Sequence, residues 1–234
     1  MKIKLLRLFL IAVSCSVFLS TKDAAASTIF WGTKPNDLLF DSQGNALDAT
    51  FVFELGTFAS TFTPDETNMD QWAANWFVFD AAISGSGWNP AGQEVTGSVE
   101  HTTSSGSTSP YATPGATFDQ GTTAYLWVYN SKDLNTNPEW ALLVDVDNGA
   151  NLYYPWEFPD PTLENDSFDW QTQDVETAIY GGVNGTRAAG DFSALPATFT
   201  IQTAVVPEPG SALLVIIGAM AVIGRAKRRT AARG

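Results

Sequence analysis

Cysteine is nearly absent from this 234-residue chain: Cys15 is the only one, and it lies inside the first apolar run. If that run is removed on export, no thiol remains, which excludes disulfides, thiolate nucleophiles and zinc–thiolate centres. Histidine is as scarce. His101 stands alone before a Thr/Ser/Gly stretch that reads as a polar loop, so a Ser-His-Asp triad or a histidine-rich metal site would rest on this one residue. Positive charge is missing from the middle of the chain. Between Ser27 and Val206, Lys34, Lys132 and Arg187 face 23 acidic residues, a balance of 3 − 23 = −20. Such a surface repels nucleic acid and anionic lipid, and no nucleic-acid partner is expected. No repeat of 20 to 50 residues is visible, which argues against a solenoid.

Long apolar runs are missing too. Leu8 to Ser20 and Ser211 to Gly224 are thirteen and fourteen residues, about 20 Å as helices against hydrocarbon about 30 Å thick. The first follows Lys2, Lys4 and Arg7 and precedes Ala24-Ala25-Ala26, so residues 1–26 read as a secretory signal peptide. The second follows Pro207-Glu208-Pro209 and precedes Arg225, Lys227, Arg228, Arg229 and Arg233, with no acid among them. Each proline pushes its predecessor toward extended backbone. Helix is therefore expected from Gly210 or Ser211, leaving Val205 to Pro209 as an extended, accessible peptide. Arg225 and Lys227 can reach the headgroups, which makes 211–224 a single short transmembrane helix. The positive-inside rule keeps the basic end cytoplasmic and the acidic domain outside.

Pro207-Glu208-Pro209, the short apolar run and the Arg/Lys cluster stand in that order at the C-terminal end, and together they resemble the PEP-CTERM sorting signal. The same tail is also labelled a C-terminal domain of ice-binding proteins. The resemblance implies recognition by an exosortase in the inner membrane, processing near the motif, and release toward the cell surface or an exopolysaccharide matrix. The segments Phe51 to Phe58, Phe62 to Pro64 with Trp72 to Trp76, and Glu139 to Leu143 with Trp156 to Pro159 resemble recurrent segments of other PEP-CTERM ectodomains. That likeness implies a shared fold and no particular chemistry. An ice-binding face would need a regular threonine array, and only Thr61-Phe62-Thr63 and Thr198-Phe199-Thr200 occur. The expected organisation is a signal peptide (1–26), a secreted acidic domain (27–204) and a sorting tail (205–234), its span at 211–224 and its basic end at 225–234.

The domain is aromatic, holding all eight tryptophans, and its periodicity is mostly two. Trp140, Leu142, Val144 and Val146 alternate with Ala141, Leu143, Asp145 and Asp147 as a half-buried strand would. Further β-rich runs are 28–31, 51–58, 76–79, 94–101, 123–129, 175–180 and 199–201, with Asn148-Gly149 and Asn184-Gly185 as turns. Thr63-Pro64-Asp65-Glu66 reads as a capping box and predicts a short helix over 65–76, with Met69, Trp72 and Trp76 on one face. The predicted fold is mainly β: an antiparallel β-sandwich, jelly-roll-like, with one short helix.

Tyr125, Trp127 and Tyr129 share one strand face about 6.8 Å apart, a row of rings on which sugars can stack. Ala124, Leu126 and Val128 make the opposite face apolar as well, which reads as a central core strand. Asp145-Val146-Asp147-Asn148-Gly149 resembles the start of a calcium loop, but the glycine comes one place early and Trp156 stands where the closing glutamate belongs. A looser structural calcium site on Asp145, Asp147 and Asn148 and a plain Asn-Gly hairpin turn are the two readings of this stretch. No other cofactor is expected. Without catalytic motifs, the expected function is that of an exported, non-enzymatic cell-surface or matrix protein with a structural or carbohydrate-binding role. The alternative is a glycoside hydrolase or lyase using a carboxylate pair about 5 to 9.5 Å apart.

Overall fold

The computed structural model describes residues 26–146, 155–163, 166–194 and 197–208. The signal run, Asp147, Asn148, Pro209, the apolar run 211–224 and the cluster Arg225, Lys227, Arg228 and Arg229 lie outside the described residues. The strands are β1 (Ala26–Gly32), β2 (Leu39–Phe40), β3 (Val52–Phe58), β4 (Trp76–Ser84), β5 (Gly87–Asn89), β6 (Glu94–Thr102) and β7 (Tyr125–Tyr129). They continue as β8 (Glu139–Val144), β9 (Ser167–Gln171), β10 (Thr177–Tyr180), β11 (Gly182–Val183), β12 (Thr186–Arg187), β13 (Ile201–Gln202) and β14 (Ala204–Val205).

One ten-stranded sheet runs β10-β8-β7-β3-β4-β5-β6-β1-β9, with β14 paired to β8, and curls into a half-barrel. A four-stranded sheet runs β12-β11-β13-β2. A bulge between Leu55 and Gly56, on the β3–β4 pair, adds to the curl. Gly56 is required there, because a Cβ would stand 2.2 Å from the Phe77 carbonyl oxygen. Pairing is not wholly antiparallel, as the alternating pattern suggested. β1 runs parallel to β9, β13 to β2, and β4 to β5.

The inner face of the curl carries Ile29, Phe53, Leu126 and Leu143, packed with Leu39, Val183 and Ile201 from the small sheet. A second cluster lies on the outer face of β3, β7 and β8, where Trp72, Trp76, Trp127 and Trp140 meet. Residues 59–76 fold over that face. β8 is therefore buried on both sides, not half-buried as its alternation suggested: Trp140 and Leu142 belong to the outer cluster, Ala141 and Leu143 to the inner one.

The helix is shorter than predicted. A 3-10 turn at Met69–Gln71 leads into α1 (Trp72–Asn75), and the Thr63/Glu66 capping box does not form. Asp65 and Asn68 close a turn instead. Asn68 Nδ2 donates to the Thr63 carbonyl at 2.9 Å, Asn68 Oδ1 accepts from Asp65 N at 3.0 Å, and Asp65 Oδ1 accepts from Thr67 N at 2.6 Å. These local side-chain bonds compete with the first helical turn. The predicted face is still the buried one, with Met69, Trp72 and Trp76 all in the outer cluster.

Both ends of the domain are more deeply built in than the sequence suggested. β1 starts at Ala26, and Ser27 is fully buried opposite His101. Val205 lies in β14 and Val206 is buried, its N–H donating to the Pro138 carbonyl at 2.8 Å. The accessible peptide expected from Val205 therefore begins at Pro207, which is exposed with Glu208. No helix among the described residues is long and apolar enough to cross a membrane.

Candidate functional site

The row Tyr125, Trp127 and Tyr129 lies on β7 beneath the 59–76 segment. Trp127 is 0 % exposed, edge-on to Trp72 (centroids 5.8 Å) and Trp140 (4.9 Å), and Tyr125 and Tyr129 are half-buried. Lys132 Nζ caps the Trp127 and Tyr129 rings at 4.8 Å from each. The row is a packing layer and offers no open stacking platform. His101 also departs from its polar-loop expectation. It lies near the end of β6, fully buried between Phe79 and Phe158, with Nε2 donating to the Phe118 carbonyl at 2.8 Å. Burial pushes its pKa down, which favours the neutral ring.

Asp145 is 2 % exposed, and its Oδ1 finds no hydrogen-bond partner among the described residues. Asp147 and Asn148, its expected calcium-binding companions, lie outside them, and within them no three His, Cys, Asp or Glu side chains gather to hold a metal. Burial first, then the charges of Glu176 and Asp174, push the Asp145 pKa up to about 6 from its ordinary 3.8. A carboxyl raised in the folded state costs stability when ionised. That cost is complete above pH 6 and fades as pH falls toward 3.8. Two pKa units amount to about 3 kcal/mol, and screening by nearby water leaves about 1–2 kcal/mol. Asp145→Asn is therefore expected to stabilise the protein by about 1–2 kcal/mol at pH 7.5, and the two proteins should converge near pH 4. Urea unfolding at both pH values checks this; an equal difference at the two would remove ionisation as the cause.

Buried Asp80 and Glu54 and half-buried Glu139 accept hydrogen bonds from within the fold. Asp80 accepts from Trp31 Nε1 at 2.8 Å and Ser109 Oγ at 2.6 Å. Glu139 accepts from Ser42 N, Ser42 Oγ and Thr203 Oγ1, each at 2.8 Å, tying an early loop to the last strands. Glu54 accepts from Trp76 Nε1 at 2.7 Å, Tyr129 Oη at 2.6 Å and Lys132 Nζ. Each of these carboxylates thus bridges elements that lie far apart in the sequence.

An open groove of about 400 Å³ lies where the edge strand β9 meets residues 155–163. The 156–158 segment is held by backbone bonds: Ala124 N to Trp156 O (2.8 Å), Phe158 N to Thr122 O and Gly121 N to Phe158 O (both 2.9 Å). That pairing brings Trp156 over Trp170 of β9, stacked at 5.8 Å and 18°. Trp170, 5 % exposed, and half-buried Phe168 line the groove with Leu163, which is 41 % exposed. Gln120, Glu157 and Asp160 supply polar side chains, and among the described residues no Lys or Arg lines it. Hydrogen bonds from Thr162, backbone first and then hydroxyl, hold the Asp160 carboxyl below its ordinary range. β9 escaped the sequence reading, although Ser167-Phe168-Asp169-Trp170-Gln171 alternates polar and aromatic residues as a half-buried edge strand should. No family model matches the chain, and neither a search of characterised proteins nor one of solved structures finds a match.

Proposed function

We propose that this is an exported, non-enzymatic protein of the cell surface or extracellular matrix that binds neutral polysaccharide, delivered through a sorting tail recognised by an exosortase. Its carrier before processing is the inner membrane, and its later partner is exopolysaccharide. The curled sheet and the four-stranded sheet are read as the two layers of a jelly-roll-like sandwich. The observation that carries the binding role is the groove beside β9. Its aromatic and aliphatic lining suits the C–H faces of sugar rings, and its amide and carboxylates suit hydroxyls. Acidic residues without a neighbouring cation disfavour anionic polymers. The Thr162 hydrogen bonds that hold Asp160 below its ordinary range make this carboxyl a poor general acid, which supports the binding reading over hydrolysis at Asp160 itself. The sorting role rests on Pro207-Glu208-Pro209, the apolar run and the basic cluster.

A glycan array followed by calorimetry tests the binding role. Neutral polysaccharide is expected to bind, and Phe168→Ala or Leu163→Ala to weaken it about tenfold, the equivalent of about 1.4 kcal/mol. A wholly negative array would remove the role. For the sorting role, intact mass of surface material from cells with and without their exosortase is decisive. Arg225 to Gly234 still attached in surface protein would defeat it.

A further inference from the structure

Pro207 leaves the domain between two grooves, of about 330 and 460 Å³, that share Glu66, Thr67, Met69 and Pro207 in their walls. Together they form a trough straddling the point where the tail departs. Its apolar lining is Met69 with Leu134 and Val206 on one side and Tyr180 with Ala189 on the other. Its acids are Glu66, Asp70, Asp191 and Glu208, all exposed, and none makes an ion pair among the described residues. The fields of two of them meet at Tyr180. Burial first, then the charges of Asp191 and Glu66, push the Tyr180 hydroxyl above the usual tyrosine range, while that hydroxyl donates to the Val205 carbonyl.

We infer that this trough is the docking surface for a cationic, partly apolar loop of the membrane enzyme that processes the tail, an inference resting on the sorting reading above. Tether length supports it. Only Pro209 and Gly210 separate Glu208 from the apolar run at Ser211, a reach of at most about 11 Å for extended chain. With the run in the bilayer, the trough is held against the membrane surface. Anionic headgroups are repelled by four uncompensated carboxylates, and a flat lipid face cannot fill a two-lobed recess. A protein loop can. Lysine or arginine ends meet the acids while an apolar side chain rests on Met69 and Val206, with the charges steering the encounter. The strand pairing of β14 and the burial of Val206 fix the trough's position relative to Pro207, so an enzyme docked there meets a chain presented in one register.

The test uses the full chain in cells that process it, comparing wild type with a triple variant, Glu66→Gln, Asp70→Asn and Asp191→Asn. Pulse-chase with intact-mass detection reads how fast the tail is lost, and a thermal melt confirms that these exposed changes leave the fold intact. Processing is expected to slow about fivefold or more, as loss of several steering charges does elsewhere. A photo-crosslinking side chain at Thr67 should yield an adduct with an integral membrane protein bearing a basic external loop. Unchanged processing of the folded variant, or an adduct with lipid alone, would overturn the docking surface while leaving the sorting reading standing. If wild type itself is never processed, both fall.

Discussion

Trp72→Ala is expected to lower the unfolding free energy by about 3–5 kcal/mol, the range for emptying a fully buried aromatic site. Trp72 is 0 % exposed and is the keystone of the outer cluster. It stacks on Trp140 at 5.5 Å and 23°, stands edge-on to Trp127, and reaches Phe58 and Tyr180 at 6.1 and 6.5 Å. It also comes from the 59–76 segment, which packs over the outer cluster together with Tyr180, Ala189 and Phe192. Its loss therefore exposes apolar strand surface as well as leaving a cavity. The indole Nε1 donates to Asn68 Oδ1 at 2.9 Å, the same amide that closes the turn before the helix. Asn68→Ala should cost less, about 1–2 kcal/mol for the lost hydrogen bonds of a partly exposed group. Urea unfolding followed by far-ultraviolet circular dichroism measures both. A Trp72→Ala loss under about 1 kcal/mol would mean that the 59–76 segment lies over the sheet without being anchored to it.

The same segment explains how far the sequence could be read. β-strand character was legible wherever two-residue alternation ran long enough, and β1, β3, β4, β6, β7, β8 and β10 fall on runs picked out by pattern. Asn184-Gly185 forms its turn between β11 and β12 with positive φ at both residues, 47° and 76°. Alternation states which residues face alike; it does not state what covers each face. Hence the Tyr125, Trp127 and Tyr129 row was legible as a row, while its cover of Trp72 and the 59–76 segment was a tertiary fact. The parallel pairing of β9 to β1 was equally hidden, since it joins residues more than 130 positions apart. The groove depends on that pairing and on three backbone bonds from 121–124 to 156–158, so none of its residues could be assembled from local pattern. The helix erred for a smaller reason. Threonine, proline and glutamate spelled a cap, but Asp65 and Asn68 supplied a competing turn over residues 63–68.

Glu54→Ala should destabilise the protein by about 3–5 kcal/mol, because removing one member of a buried charged network strands its partners. Glu54 sits on β3 in register with Trp127 of β7 and Ala81 of β4, and its side chain is 11 % exposed against 29 % for Lys132. A carboxylate survives in this aromatic layer because it gathers three donors that would otherwise lack an acceptor: the Trp76 indole, the Tyr129 hydroxyl and the Lys132 ammonium. Lys132 gains on two counts, pairing with Glu54 while its charge lies over two ring faces. Lys132→Met should be the milder change, about 1–2 kcal/mol, since the apolar stem still covers the rings and Glu54 keeps two hydrogen bonds. Glu54→Gln discriminates a structural carboxylate from a functional one. An amide presents donors where three donors already point, so a structural role predicts a loss of about 2 kcal/mol or more despite the identical shape. A carboxylate held in place for chemistry commonly burdens the fold, and its neutralisation would leave stability unchanged or raise it. The double-mutant cycle of Glu54→Gln with Lys132→Met isolates the pair. A coupling energy near zero would show that the tryptophan and tyrosine hydrogen bonds, and not the ammonium, hold this carboxylate in the layer.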